Sequence, residues 1–190
     1  MSHFPFIQNS VLKSNLDLVF EHIIDLLALS ESETYEGKKT LVSSLRKTII
    51  IHTASIIEAL LLWKLKQACD KNIVALDDEW RYINICVLWK VNHSREVIAG
   101  TRQKVKKSVD KLDFLHLTRQ CLKCKIINDL EFKDIDKVRI LRNKMHLGGL
   151  AELEKEYTRK DLEFCFKVAK KVKKIVHELK FVKPIKSSQK

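Results

Sequence analysis

The sequence predicts a mainly α-helical protein, a helical bundle of about five helices carrying a β-hairpin insertion, and three features lead to that expectation. Only 4 Gly and 2 Pro punctuate 190 residues, too few turn formers for a many-stranded fold. Apolar residues recur at helical spacing over most of the chain, whereas residues 80–107 switch to a β-branched and aromatic rhythm. With 45% hydrophobic and 32% charged residues, the chain reads as one folded domain over residues 1–190, large enough to bury a sizeable core.

The first helix is predicted from about Ser10 to Leu29, with Leu12, Leu16, Val19, Phe20, Ile23, Ile24 and Leu27 along one face. The polar run from Ser30 to Gly37 follows as a loop. A longer helix should begin after Thr40, its expected N-cap, and run to about Ala68. Leu41, Leu45, Ile49, His52, Ile56, Leu60 and Trp63 carry its stripe, but its middle is apolar nearly all round, which marks it as the central core helix.

Tyr82 to Val91 and Glu96 to Val105 read as two strands joined by a turn at Asn92-His93-Ser94-Arg95. The returning arm carries Arg102, Lys104, Lys106 and Lys107, which suit either a lysine-blunted edge strand or a basic finger that touches nucleic acid. A third helix is expected from Phe114 to Ile126, capped by Asp110 or Asp113. A fourth should run from about Leu130 to Leu147 after Asn128 or Asp129, stopping at Gly148-Gly149. Thr158 should cap a last helix, Arg159 to Leu179, and residues 181–190 read as a basic tail.

The formal net charge is +12, from 36 Lys+Arg against 24 Asp+Glu, which points toward a polyanionic partner. The start, MSHFPFIQNS, has no basic segment leading into an apolar one. The apolar run near residues 49–62 is broken by His52, Thr53, Ser55 and Glu58. Five cysteines read as reduced thiols. The expectation is a cytoplasmic protein with no membrane association.

The chemistry concentrates at the end of the fourth helix. Placed at 100° per residue, Val138, Leu141 and Met145 fall on a core-facing side, and Asp136, Arg139, Arg142, Asn143 and His146 on an adjoining polar stripe. Arg142 and His146 are helical neighbours, and Arg139 lies one turn earlier. Two cations and a histidine in a last turn also complement the helix dipole, without any further role. The functional reading uses an imidazole that exchanges protons near ~6.5 and guanidinium groups that hold a phosphate and stabilise charge on it. Together they could cleave RNA without metal or other cofactor, using the ribose 2′-hydroxyl as nucleophile. Glu58, the sole acid between Lys47 and Lys64 on an apolar helix, needs a partner if buried, and Arg139 and Arg142 are candidates.

The segment LRNKMHL resembles the arginine–histidine motif of the HEPN superfamily (higher eukaryote and prokaryote nucleotide-binding domain), and SIIEALL resembles that family's earlier helix. The resemblance covers roughly residues 40–180 and implies an all-helical bundle, a homodimer whose two motifs meet across a cleft, and RNase activity. In the family four to six residues separate arginine from histidine, often with a polar residue after the arginine. Arg142, followed by Asn143, stands three residues short of His146, whereas Arg139, followed by Ile140, leaves six. Arg142 is taken as the first catalytic candidate with Arg139 assisting, His146 as the acid–base group, and Asn143 and Glu58 as supporting residues. Lys144 joins Arg102, Lys104, Lys106 and Lys107 as an RNA-binding candidate. The leading expectation is a metal-independent endoribonuclease, the toxin of a toxin–antitoxin or phage-defence pair with an antitoxin protein as partner. The alternative is a catalytically silent helical module that binds RNA or protein.

Other constellations are weaker. Cys121 and Cys124 form a lone C-x-x-C that lacks two further ligands for zinc. His22, His52, His93 and His177 are scattered, and no glycine-rich phosphate loop is present. Lys167, Lys170, Lys171, Lys173 and Lys174 read as a solvated face of the last helix.

Overall fold

A computed structural model describes residues 1–76, 78–106, 108–143 and 156–181. Five helices and one antiparallel hairpin follow in chain order: α1 (Ser10–Ser30), α2 (Lys39–Asp70), β1 (Asp78–Asn92), β2 (Arg95–Lys106), α3 (Phe114–Lys123), α4 (Asp129–Asn143) and α5 (Arg159–Glu178). The protein is therefore mainly α, a helical bundle with a hairpin between α2 and α3.

α2 is the axis of the bundle and touches α1, α3, α4 and α5. Ile49, Ile50, Ala54, Ile57, Leu60, Leu61 and Leu65 are fully buried on it, so its apolar residues wrap the helix and exceed the predicted stripe. By length and composition α2 is apolar enough to cross a bilayer, yet more than half of its most apolar stretch is covered by the other helices. α5 shows the opposite pattern: Leu162, Cys165, Val168, Val172 and Val176 form one buried stripe, and its lysines lie outside it. Two of those lysines hold the fold together, Lys171 beside Glu131 of α4 at 3.6 Å and Lys173 over the Phe4 ring at 5.0 Å. Burial pushes the Lys64 ammonium below its ordinary pKa; it donates to the Leu179 carbonyl at the end of α5.

The helix ends follow their caps, with two departures. Asp113 accepts from the His116 amide, Asn128 and Glu131 exchange hydrogen bonds, and Thr158 forms a reciprocal box with Asp161. Thr40 is not the N-cap of α2. The tight helical turn over Glu33–Tyr35 delivers the chain so that the Lys38 carbonyl already accepts from Val42, which places Thr40 inside the helix. α3 also stops at Lys123, three residues before the expected end. The Ile126 amide donates to the Cys121 carbonyl and the Lys125 amide to Leu122, a left-handed terminator with Lys125 at φ 55° where glycine is usual. The expected helix end at Gly148-Gly149 and the tail beyond Phe181 lie outside the described residues.

The first nine residues gave no periodic signal, but they pack firmly. Phe4 and Ile7 are buried, Phe4 meets Phe20 edge-on, and Phe6 lies beside Trp63 and His177. His52 is half-buried on α2 with the His22 ring 6.2 Å away; burial first, then repulsion from His22, holds its pKa below the ordinary value. The folded state therefore prefers the neutral ring. The stability this gives is present above the ordinary pKa of ~6.5 and is lost as pH falls below it. Thermal melts between neutral and mildly acidic pH should show a fall in Tm that flattens in His52→Gln. Parallel profiles for the two proteins would refute this assignment.

The hairpin matches its predicted arms and turn, extended at both ends to Asp78 and Lys106. Asn92 accepts from the Ser94 amide and hydroxyl at the tip. Three register shifts interrupt the pairing; at the first, Gly100 faces Ile83–Ile85, where a Cβ would stand 3.3 Å from the Ile83 carbonyl oxygen. The sheet has two strands, and Trp80, Tyr82, Val87, Leu88, Trp89 and Ile98 are each at least half exposed.

Candidate functional site

Arg142 occupies the last turn of α4, where its neighbours come from three elements. α4 is anchored by Ile135 and Val138, fully buried against the bundle, with Leu141 packed at the core margin. Arg142 lies four residues after Val138 and so stays at the edge of that buried face. Its Nη1 donates to Glu58 Oε2 on α2 at 3.0 Å, and its Cζ lies 5.7 Å from the ring centroid of Phe114, the first residue of α3. The two side chains of the ion pair are 32% and 26% exposed, so the pair is partly shielded without being sealed from a ligand. One contact engages one of the five donors of a guanidinium, and the planar fork is suited to carry a phosphate at the same time.

Arg139 takes a different course. Its Nε donates to Asp136 Oδ1 at 2.6 Å, one turn back on the same helix, and both side chains are half-buried. The structure thus brings Glu58 to Arg142 and pairs Arg139 within α4. Asn143 is exposed as the final residue of that helix. His146 and Lys144, and Met145 of the expected core face, lie outside the described residues. Beyond that segment the chain is fastened again at Tyr157, whose amide donates to Ser43 Oγ at 2.9 Å and whose carbonyl accepts from Arg46. Both partners are on α2, so one helix holds the chain on both sides of the His146 segment.

The remaining candidates lie on the hairpin. Arg102 and Lys104 are exposed on β2, opposite Tyr82 and Trp80 respectively, and both cations stand over the Trp80 ring, at 4.7 and 5.3 Å from its centroid. Lys106 ends the strand, its backbone paired opposite Asp78, and Lys107 lies outside the described residues. Trp80 and Tyr82 are the residues that the sequence reading missed. Their signal was available, since two residues i and i+2 on a strand share a face.

The cysteines have the character of core residues. Cys121 and Cys165 are fully buried, and burial raises both thiols, Cys165 to about 12. Among the described residues no group of three or more His, Cys, Asp or Glu side chains is placed to hold a metal ion. Compared with models of known protein families, with curated proteins and with solved structures, the chain matches none.

Proposed function

We propose that the chain is a metal-independent endoribonuclease of HEPN type. The observation that carries this reading is Arg142, set by Glu58 at the end of α4 and four residues before His146, with donors to spare for a phosphate. In the proposed reaction a base removes the proton of a ribose 2′-hydroxyl, whose oxygen attacks the adjacent phosphorus. Arg142 stabilises the charge gathering on the phosphoryl oxygens, and the departing 5′-oxygen takes a proton from an acid. The products are a 2′,3′-cyclic phosphate and a 5′-hydroxyl. The nucleophile is built into the substrate, so no metal-activated water is required.

The reaction uses one proton acceptor and one donor, and the motif offers one histidine per chain. A homodimer with two His146 side chains at one cleft supplies both. A toxin role, held in check by an antitoxin protein, accords with a small basic nuclease. The short interval between Arg142 and His146 favours a second reading, a silent module that binds RNA or protein through the same basic residues. The two separate on His146→Ala. In the presence of a chelator the wild type should cut RNA and the variant should be slower by roughly a hundredfold to ten-thousandfold. Equal degradation by both proteins would sink the nuclease reading. Salt-sensitive binding without cutting by either would establish the second.

A further inference from the structure

At the root of the hairpin, the half nearest the bundle, aromatic rings and cations share one face. Trp80 pairs with Lys104 and Tyr82 with Arg102, and directly opposed residues on a ladder project to the same side. Trp80 is 50% exposed and Tyr82 63%, and no second layer covers a sheet of two strands. A soluble domain would ordinarily bury rings of this size. The guanidinium of Arg102 lies against Trp80, which fixes its orientation and leaves N–H groups directed outward. The acids nearby do little to offset these charges. Glu79 is engaged by Arg81, its neighbour two residues along, and Asp78 stands at the base opposite Lys106.

We infer that this face is a binding platform for single-stranded RNA, with bases stacking on Tyr82 and on the Trp80–Arg102 pair and phosphates held by Arg102 and Lys104. An unpaired strand presents both features that the face is built to meet, a regular line of phosphates and accessible flat π surfaces. A duplex hides its bases in the stack. An acidic peptide would answer the charge and leave the rings unused. The inference rests on the nuclease reading and specifies its substrate as unpaired RNA.

The connectivity places this platform upstream of the candidate site. β2 ends at Lys106 and runs into a short helical turn at Val109–Lys111, tied to α2 by Lys66 and Asp110 at 3.3 Å. Phe114 follows three residues later, and its ring is the one that lies against Arg142. The strand bearing Arg102 and Lys104 thus leads to the end of the bundle where Arg142 is held.

Binding is best read in the His146→Ala protein, with a labelled unstructured RNA of about a dozen nucleotides, and with the same strand annealed to its complement. The unpaired strand should bind more tightly than the duplex. Trp80→Ala with Tyr82→Ala should weaken it by about tenfold to a hundredfold, and Trp80→Phe with Tyr82→Phe should recover most of the loss. Arg102→Ala with Lys104→Ala should lower the salt slope by roughly one unit. The platform is overturned by unchanged affinity in the double alanine variant, by a preference for duplex, or by competition from polyglutamate as effective as that from RNA. Cleavage by the wild type is scored separately. Cutting with hairpin-independent binding removes the platform and keeps the nuclease, and ring-dependent binding without cutting does the reverse.

Discussion

Arg142→Ala should reduce RNA cleavage by about a hundredfold to a thousandfold, the usual effect of removing a group that stabilises developing charge. Arg139→Ala should cost much less, because Arg139 is held by Asp136 on its own helix whereas Arg142 is held between α2 and α3. Arg142→Lys should recover only part of the rate, since an ammonium cannot bond Glu58 and a phosphate in the fixed geometry of a fork. The fold should survive each change: a partly exposed ion pair is worth about 1 kcal/mol or less. Glu58→Gln should lower the rate by loosening Arg142 while leaving the chain folded. Single-turnover rates and circular dichroism on the same preparations check the set. A larger loss in Arg139→Ala than in Arg142→Ala would reassign the arginine.

The largest effect on stability should come from the axis of the bundle. Leu61 is fully buried on α2, and its carbonyl lies against the Cys121 thiol of α3. Leu61→Ala should cost about 2–5 kcal/mol, the lost transfer energy of the side chain plus the cavity it leaves. Domains of this kind are stable by only about 5–15 kcal/mol, so the variant should unfold at much lower denaturant. Leu18→Ala, on an exposed position of α1, serves as the contrast and should change little. A shift in Leu61→Ala of less than about 1 kcal/mol would mean that α2 is not the packed axis described above.

Legibility in the sequence depended on how local each determinant was. α5 could be read almost residue for residue, because its cap is three residues from its partner and its valine stripe keeps one period. The hairpin was equally plain from its composition and its Asn92–Arg95 turn. The start of α2 was not, since the preceding turn at Glu33–Tyr35 decides which carbonyl opens the helix, and Thr40 has the right chemistry in the wrong place. The end of α3 was missed because Lys125 adopts a left-handed conformation that its identity does not advertise. The partners of Phe4 and Phe6 are Phe20, Trp63 and His177, all remote in sequence, so no short-range pattern could reveal that packing. The site shows the same division. Its chemistry was visible in Arg139-Ile140-Leu141-Arg142, and Glu58 was marked as an acid in need of a partner. The choice of Arg142 spans 84 residues and belongs to the fold.

The nature of the cut ends tests the central claim most directly. RNA digested by the wild-type protein in the presence of a chelator should carry 2′,3′-cyclic phosphate and 5′-hydroxyl ends, and His146→Ala should leave the RNA nearly intact. Ends bearing a 3′-hydroxyl and a 5′-phosphate, or the same fragments in equal yield from His146→Ala, would contradict it.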